Sequence, residues 1–135
     1  MATQFNSVGD WVSQFRQEIY HQPNDDDAVK AFEAKADPSI LVRTNHDHFT
    51  FDQYRGLIKQ YRGTHTVSLL SNSTILEWHD AEKGGTVGHL TKTLHVEKAT
   101  GKKEQHTTLI ITTVKWINGK RMVTEITEVF IEEEA

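Results

Sequence analysis

The sequence predicts an α+β fold, in which three N-terminal helices pack on a strongly curved, mainly antiparallel mixed β-sheet. Two observations predict this order. Apolar residues recur at the helical spacing of three and four as far as Gly63, and beyond that glycine the period changes to two. The connections between the later segments contain glycine, as hairpin turns commonly do. Helices followed by a strand meander bury their apolar sides by packing as two layers.

Three segments carry helix signals. Ser7 is placed to cap a first helix over 7–21, whose apolar residues fall on one face. The acids at 25–27 favour the positive start of a second helix, which we expect Pro38 to end. Thr50 is placed to cap a third helix over 51–62, with Gly63 closing it.

The remaining segments favour strands. A short apolar run at 39–44 is bounded by turn formers and precedes a polar loop. Residues 65–71 and 73–79 form either two strands or one long strand with a kink. Asn118-Gly119 is the dipeptide most typical of a type I′ hairpin turn, because both central residues of that turn need a positive φ. The later strands are expected at 87–97, 105–117 and 121–131.

Composition narrows the class of protein. A chain of 135 residues suits one domain, 1–135. The formal net charge of −4 provides no basic footprint for nucleic acid. No apolar run approaches the roughly 18 residues of a membrane helix, and the first residues lack a secretory-signal pattern. The absence of cysteine excludes disulfides and thiol chemistry and fits a reducing compartment. We therefore expect a cytoplasmic protein without nucleic-acid or membrane partners.

The order and lengths of the segments resemble the NTF2-like superfamily, in particular its SnoaL-like branch of small cone-shaped α+β barrels. The resemblance covers essentially the whole chain. It rests on the aromatic first helix WVSQFRQEIY, the passage KADPSILVRTN, the third helix TFDQYRGLIKQYRG and the closing KWINGKRMVTEITEVF. It implies a cone that holds a small apolar molecule, and a homodimer. Members range from isomerases and dehydratases to proteins without known chemistry, so the resemblance leaves the function open.

The residues do not support ketosteroid-isomerase chemistry, the best-known activity of this resemblance. That chemistry needs a carboxylate base near the end of the first strand and a protonated acid beside a tyrosine. The resemblance places the base at Arg43 or Thr44 and the acid at Thr112, and none of these residues is an acid. Histidine-based chemistry like that of scytalone dehydratase remains open, because the chain contains 8 His.

The richest polar cluster is NHDHF, residues 45–49. Histidine commonly serves as an acid–base residue, and Asp47 is placed to orient His46 or His48, so these three are candidate catalytic residues. The interpretation we favour is a solvent-facing loop that leads into the Thr50 cap. A metal bound by the two histidines would need further ligands from elsewhere in the chain, and the sequence shows no third-ligand pattern, so we expect no metal and no cofactor.

His89, His95 and His106 lie in predicted strands, and each shares a strand face with threonines. These polar faces either line a pocket or form the solvent or dimer face of the sheet. We favour the outer face, because apolar Leu109 and Ile111 occupy the alternate side.

Aromatic residues are expected mainly in the core, and some of them are also candidates for ligand contact. Tyr54 and Tyr61 are the most interesting, because a buried hydroxyl needs a hydrogen-bond partner. The six candidates are Phe15, Tyr20, Tyr54, Tyr61, Trp78 and Trp116.

Three hypotheses for the function follow. The first, which we favour, is a protein that binds a small hydrophobic molecule in the cone. The second is an acid–base enzyme, a cyclase, isomerase or dehydratase acting on a polyketide- or terpenoid-like substrate. The third is an interaction module that uses the exposed face of the sheet.

Overall fold

The computed structural model describes residues 7–135, and the interpretation of the first residues as free of a signal lies outside this range. Helix α1 continues into a π-helical turn, and the helices pack against a six-stranded sheet. The elements in chain order are α1 (Val8–Arg16), the π turn (Gln17–His21), α2 (Asp25–Lys35), β1 (Ala36–Thr44), β2 (Asp47–Phe49), α3 (Phe51–Thr64), β3 (His65–Asp80), β4 (Gly84–Glu97), β5 (Lys103–Ile117) and β6 (Lys120–Glu134).

The sheet has the strand order β2-β1-β6-β5-β4-β3. Strands β1 and β6 are parallel, and the other neighbouring strands are antiparallel. The predicted class, helices packed on a mainly antiparallel mixed sheet, is therefore confirmed. No helix within residues 7–135 combines the length and the apolar character needed to span a membrane.

The helix starts are set by side-chain caps. Ser7 Oγ accepts a hydrogen bond from the Asp10 amide, and Thr50 forms a reciprocal capping box with Gln53.

Two predicted helix ends are wrong. Helix α2 ends at Lys35, so Pro38 lies in β1, within an irregular stretch of its pairing with β6 where a missing amide is tolerated. Gly63 lies inside α3, which continues to Thr64.

The strand predictions agree with the structure except at the polar loop. The segment 45–49 is a tight turn at Asn45, which has a φ of 52°, followed by the short edge strand β2. Strand β3 is one long strand, and its pairing with β4 shifts register twice, which increases the local twist and bend. The type I′ turn is confirmed by φ values of 53° at Asn118 and 79° at Gly119.

The apolar core packs the helices against the inner face of the sheet. Val8, Val12 and Phe15 of α1 are fully buried and belong to one cluster with strand residues such as Val87 and Ile126. Each such side chain stabilises the fold by about 1.5–3 kcal/mol through burial. The helix approaches closely because the sheet has glycine at 85, where a Cβ would lie 2.8 Å from the Val8 side chain.

Arg62 of α3 fixes the path of the π turn. Its guanidinium donates to the backbone carbonyls of Ile19 and Gln22 and to the carboxylate of Asp25 at 2.8 Å. These bonds satisfy carbonyls at the end of the turn. The π turn in this position directs Tyr20 and His21 toward the space between helices and sheet.

Candidate functional site

A cavity of about 370 Å³ lies between the helices and the sheet. This volume falls in the range of small-molecule pockets, about 300–1,000 Å³. The helical side of its lining combines the aromatic and aliphatic side chains of Tyr20, Tyr54, Leu57 and Tyr61 with polar residues that include Arg16. The side formed by β4 and β5 consists of threonines and histidines. The large apolar surfaces of the cavity are therefore on the helical wall, and both walls carry groups that can form hydrogen bonds.

A buried ion pair lies in the cavity wall. Arg16, the last residue of α1, has its Nη2 atom 3.5 Å from Glu128 Oε2, and the two side chains are 18% and 8% exposed. Thr44 Oγ1 donates to the other Glu128 oxygen at 2.9 Å. Nη1 of Arg16 is buried without a hydrogen-bond partner among residues 7–135. One donor of a buried cation is thus left unused by the described protein atoms.

Two tyrosine hydroxyls meet beside this ion pair. Tyr20 from the π turn and Tyr54 from the first turn of α3 are hydrogen-bonded to each other through their OH groups. Burial raises the pKa of Tyr20 to about 12 and that of Tyr54 well above its ordinary value. Burial acts to lower the pKa of Arg16, but Glu128 and the two tyrosines outweigh it and the pKa is raised. Near neutral pH the site therefore holds a charged guanidinium and two neutral hydroxyl donors.

The sheet wall of the cavity carries neutral imidazoles. Nε2 of His89 lies 3.2 Å from Ser13 Oγ, which in turn accepts from Asn72 at 3.0 Å. His95 Nδ1 lies 2.5 Å from the Tyr61 hydroxyl. Burial lowers the pKa of His89, and it lowers the pKa of His95 to about 4. Both rings are therefore uncharged near pH 7 and can donate or accept one hydrogen bond at each nitrogen.

The preference for an outer position of these histidines is wrong. His89 is 1% exposed, and both His89 and His95 line the cavity together with Thr91. Leu109 and Ile111, which we had expected to face inward, are 41% and 46% exposed. The reason is that the cavity separates this part of the sheet from the helices, so its inner face is not covered by an apolar layer.

Further rings are stacked at one side of the cavity. The His106 ring stacks on His95 with a centroid distance of 3.6 Å, and on Phe130 at 5.4 Å. Tyr61 stacks in parallel on His65 at 4.3 Å. The aromatic contacts hold these side chains in fixed orientations.

Comparison with known proteins identifies the fold. No family model and no curated protein sequence matches the chain. A conserved protein from Planctomyces limnophilus has a TM-score of 0.78 at 6% identity, with 93% of this chain and 96% of that chain covered. A scytalone dehydratase-like protein from Novosphingobium aromaticivorans has a TM-score of 0.70 at 11% identity, over 92% and 85%. A SnoaL-like family protein from Agrobacterium tumefaciens has a TM-score of 0.58 at 6% identity, over 92% and 97%.

The chain has the NTF2-like fold. The resemblance inferred from sequence is thus confirmed at the level of the fold. At these identities the likeness carries no activity over to this chain.

Within this NTF2-like fold, the three positions that the resemblance assigns to the acids of isomerase chemistry lie in different surroundings. Arg43 pairs with Glu125 at 2.6 Å on the surface. Thr44 donates to Glu128. Thr112 is 1% exposed, and its hydroxyl has no partner among the described residues.

The structure brings some of the candidate site residues together and separates others. Tyr20, Tyr54, Tyr61 and Asp47 line the cavity of the NTF2-like fold. His46 and His48 are exposed and lie outside the lining. The roles assigned to all of these residues remain predictions.

The other three aromatic candidates do not line the cavity. Phe15 is fully buried in the core, and Trp78 is 56% exposed on the outer side of β3. Trp116 is half-buried, with the guanidinium of Arg121 at 5.1 Å from its ring centre. Their part in ligand contact stays a prediction.

Sequence reasoning missed the ion pair of Arg16 and Glu128. Two weak signals were present. Arg16 is four residues before Tyr20, and Glu128 is two residues after Ile126, so each shares a face with a buried neighbour.

Proposed function

We propose that this protein binds a small, mainly hydrophobic molecule that carries a carbonyl or hydroxyl oxygen, and that the cavity is the binding site. The observation that carries the proposal is the neutral tyrosine pair next to Arg16 in a cavity with an aromatic wall. The bond between Tyr20 and Tyr54 uses one of the two hydroxyl hydrogens. The other hydrogen remains to be donated to an acceptor on a ligand.

The second wall of the cavity adds selectivity. Thr91, Thr93 and His89 supply hydroxyl and imidazole groups over much of the length of the sheet side. His89 is bonded to Ser13, and Thr93 is bonded to His95. A ligand with a second oxygen at its opposite edge would form additional hydrogen bonds with this wall, whereas a pure hydrocarbon would form none, so a ligand with a second oxygen is favoured.

The test uses two probes of nearly equal shape, 2-acetylnaphthalene and 2-ethylnaphthalene. We expect the ketone to raise the melting temperature by mass action and the hydrocarbon to do so much less. Tyr54→Phe should weaken ketone binding by about 3–10-fold, the worth of one neutral hydrogen bond. Tyr61→Phe is the matched control, because the Tyr61 hydroxyl is already bonded to His95.

Two results would contradict the binding proposal. One is equal binding of the ketone and the hydrocarbon by the unmodified protein. The other is an equal loss of ketone affinity in Tyr54→Phe and Tyr61→Phe.

Acid–base catalysis on such a ligand is the second candidate function. It is favoured by the neutral imidazole of His89, which faces the same cavity as the tyrosine pair. A hydroxyl that polarises a carbonyl and a base that removes a neighbouring proton are the two parts an isomerase or dehydratase needs. Of the three candidate catalytic residues in the 45–49 cluster, Asp47 lines this cavity, and His46 and His48 stay candidates at its exterior.

Hydrogen exchange separates the two functions. If the site removes protons, the methyl hydrogens of bound 2-acetylnaphthalene will exchange with D2O faster than in buffer, as followed by NMR. His89→Gln should abolish the acceleration while the ketone still binds. If the unmodified protein binds the ketone but does not accelerate the exchange, the catalytic function is excluded and ligand binding remains as the proposed function.

We further infer a homodimer that forms through the outer face of the sheet. Leu90, Leu109 and Val129 lie side by side across β4, β5 and β6, and all are 39–57% exposed. Ile111 and Ile131 extend this apolar row on the same face. Large exposed apolar patches mark interaction surfaces, and a self-complementary pairing covers the patches of both copies at once.

An interaction module, the third hypothesis, would use the same face with a different partner. The cytoplasm remains the expected location.

A further inference from the structure

Three side chains with metal-binding atoms converge where β5 begins and β6 ends. His106 Nε2 lies 3.4 Å from Glu104 Oε2 and 3.9 Å from Glu132 Oε1. One ligand atom from each of the three residues falls within 4.8 Å of the others. His106 also lines the cavity, so the cluster lies at its edge.

The spacing of these atoms approaches that of a metal site. With metal–ligand distances of about 2.0–2.2 Å, the ligand atoms of a tetrahedral site lie about 3.3 Å apart. The observed distances from the imidazole, 3.4 and 3.9 Å, exceed this by about 0.1 and 0.6 Å. Small rotations of the two glutamates can remove these differences.

The sheet holds the three ligands in register. His106 and Glu132 are directly paired across β5 and β6, and Glu104 lies two residues before His106 on the same face. The imidazole itself is preorganised, because it is stacked between His95 and Phe130 and its side chain is only 11% exposed. A ligand whose orientation is already fixed loses little freedom when it binds a metal.

The local charge also favours a cation. Glu104 is directly opposite Glu134, and like charges in that position destabilise a strand pair. Lys102 lies 3.7 Å from Glu104 and compensates part of this charge. A divalent ion bound by Glu104 and Glu132 would offset part of the remaining negative charge.

We propose that Glu104, His106 and Glu132 form a binding site for a divalent transition-metal ion, with Zn²⁺ as the ion that best fits the ligands. One imidazole and two carboxylates are nitrogen and oxygen donors of the kind that zinc accepts, and three protein ligands leave a fourth position open. The site does not depend on the proposed ligand-binding function. It goes beyond the metal-free expectation from the sequence, which considered only the 45–49 cluster.

The test is calorimetric titration of ZnSO4 into the untagged protein. We expect one Zn²⁺ per chain, with a dissociation constant on the order of micromolar. His106→Phe keeps an aromatic ring in the stack but removes the ligand atom, and should weaken binding by more than about 100-fold. Glu132→Gln should weaken it by about 10-fold or more.

The chain offers a matched control in Glu133→Gln. This variant removes the same charge one residue away, on the opposite face of the strand, and should bind Zn²⁺ like the unmodified protein. Co²⁺ gives a second measurement on the unmodified protein in case a variant fails to fold, because its visible absorption intensifies in a tetrahedral site with a nitrogen ligand. Absence of binding by calorimetry, or equal weakening by Glu133→Gln and Glu132→Gln, would overturn the proposal.

Discussion

Two adjacent rows of residues on the sheet have the reverse of the usual polarity: the row on the inner face contains polar residues, and the row on the outer face is apolar. The inner row across β4, β5 and β6 is His89, Ile110 and Glu128. The next row, on the outer face, is Leu90, Leu109 and Val129. His89 and Glu128 are 1% and 8% exposed, whereas Val129 is 57% exposed. In an ordinary two-layer fold the polar residues would face water and the apolar residues would face the helices.

The inner face has the usual polarity elsewhere on the same strands. Val87 and Val114 face inward and contribute to the apolar core with α1. The polarity changes where the cavity separates the sheet from the helices. There the polar groups find partners in one another, as His95 does in Tyr61 and Thr93, so their burial is not penalised. The polar residues on the inner face thus mark the proposed ligand site, and the apolar residues on the outer face mark the proposed dimer face.

The largest expected effect separates two glutamates of β6. Glu128→Gln leaves Arg16 charged and buried without its counter-charge, and should lower the free energy of unfolding by about 3–5 kcal/mol. Glu125→Gln breaks the surface pair with Arg43, in which both side chains are 37% or more exposed, and should cost about 0–1 kcal/mol. Urea unfolding with equal m-values measures both changes. Equal losses would contradict the claim that the inner ion pair stabilises the fold more than the surface pair does.

The next comparison uses two isoleucines that are neighbours on β5. Ile110 is fully buried, and Ile110→Ala should destabilise the protein by about 3 kcal/mol through lost burial and a cavity. Ile111 is 46% exposed, so Ile111→Ala should cost less than about 1 kcal/mol in a dilute sample in which a dimer does not contribute. The measurement is again urea unfolding. A large loss at Ile111 in dilute protein would mean that the outer face packs against this chain itself.

The third effect concerns association. Ile111→Lys places a charge in the proposed dimer face and should weaken dimerisation by about 100-fold, equivalent to about 2.7 kcal/mol. Light scattering after size exclusion should then give the mass of one chain, where the unmodified protein gives two. Gln60→Lys, on an exposed position of α3, is the control and should remain dimeric. A monomeric unmodified protein would direct attention to the interaction-module hypothesis.

The helices, strands and final turn were predictable because their causes are local. The Ser7 and Thr50 caps, the change of period after Gly63 and the Asn118-Gly119 dipeptide each act within a few residues. The error at the end of α2 has a tertiary cause. Pro38 is accommodated in an irregular part of the strand pairing, which no local rule reveals.

The orientation of the sheet faces was not predictable in the same way. A period of two shows that His89 and His95 share a face, but it does not show which face is covered. The assumption that apolar Leu109 and Ile111 point inward is sound only where the helices contact the sheet directly. In this fold a cavity lies there instead.

The candidate site depends on residues distant in sequence. Tyr20 and Tyr54 were foreseen one at a time, from helix positions and hydroxyls, but not as a hydrogen-bonded pair. Arg16 and Glu128 each look like solvated charges until the topology places them together. Pairings of this kind arise from the crossing of elements, so no local pattern contains them.

The smallest expected effect is a pH dependence that arises from the inner row. Burial lowers the pKa of His89 below its ordinary value of 6.5, Arg16 lowers it further, and Glu77 and Asp10 act in the opposite direction. Because the folded-state pKa is the lower one, the unfolded chain takes up the proton first as the pH falls. The stability that neutral His89 contributes is therefore present above about pH 6.5 and is lost as the pH falls through the folded-state pKa.

Substitution tests this assignment. Urea unfolding between about pH 7 and pH 5 should show a smaller loss of stability in His89→Gln than in the unmodified protein. Part of the slope should remain, since burial also lowers the pKa of His21 and lowers that of His95 to about 4. His79→Gln, at an exposed histidine of β3, should follow the unmodified protein. If the free energy of unfolding of His89→Gln and of His79→Gln has the same slope with pH, His89 is not a source of the pH dependence. The inner and outer faces of the sheet then do not differ in their effect on protonation.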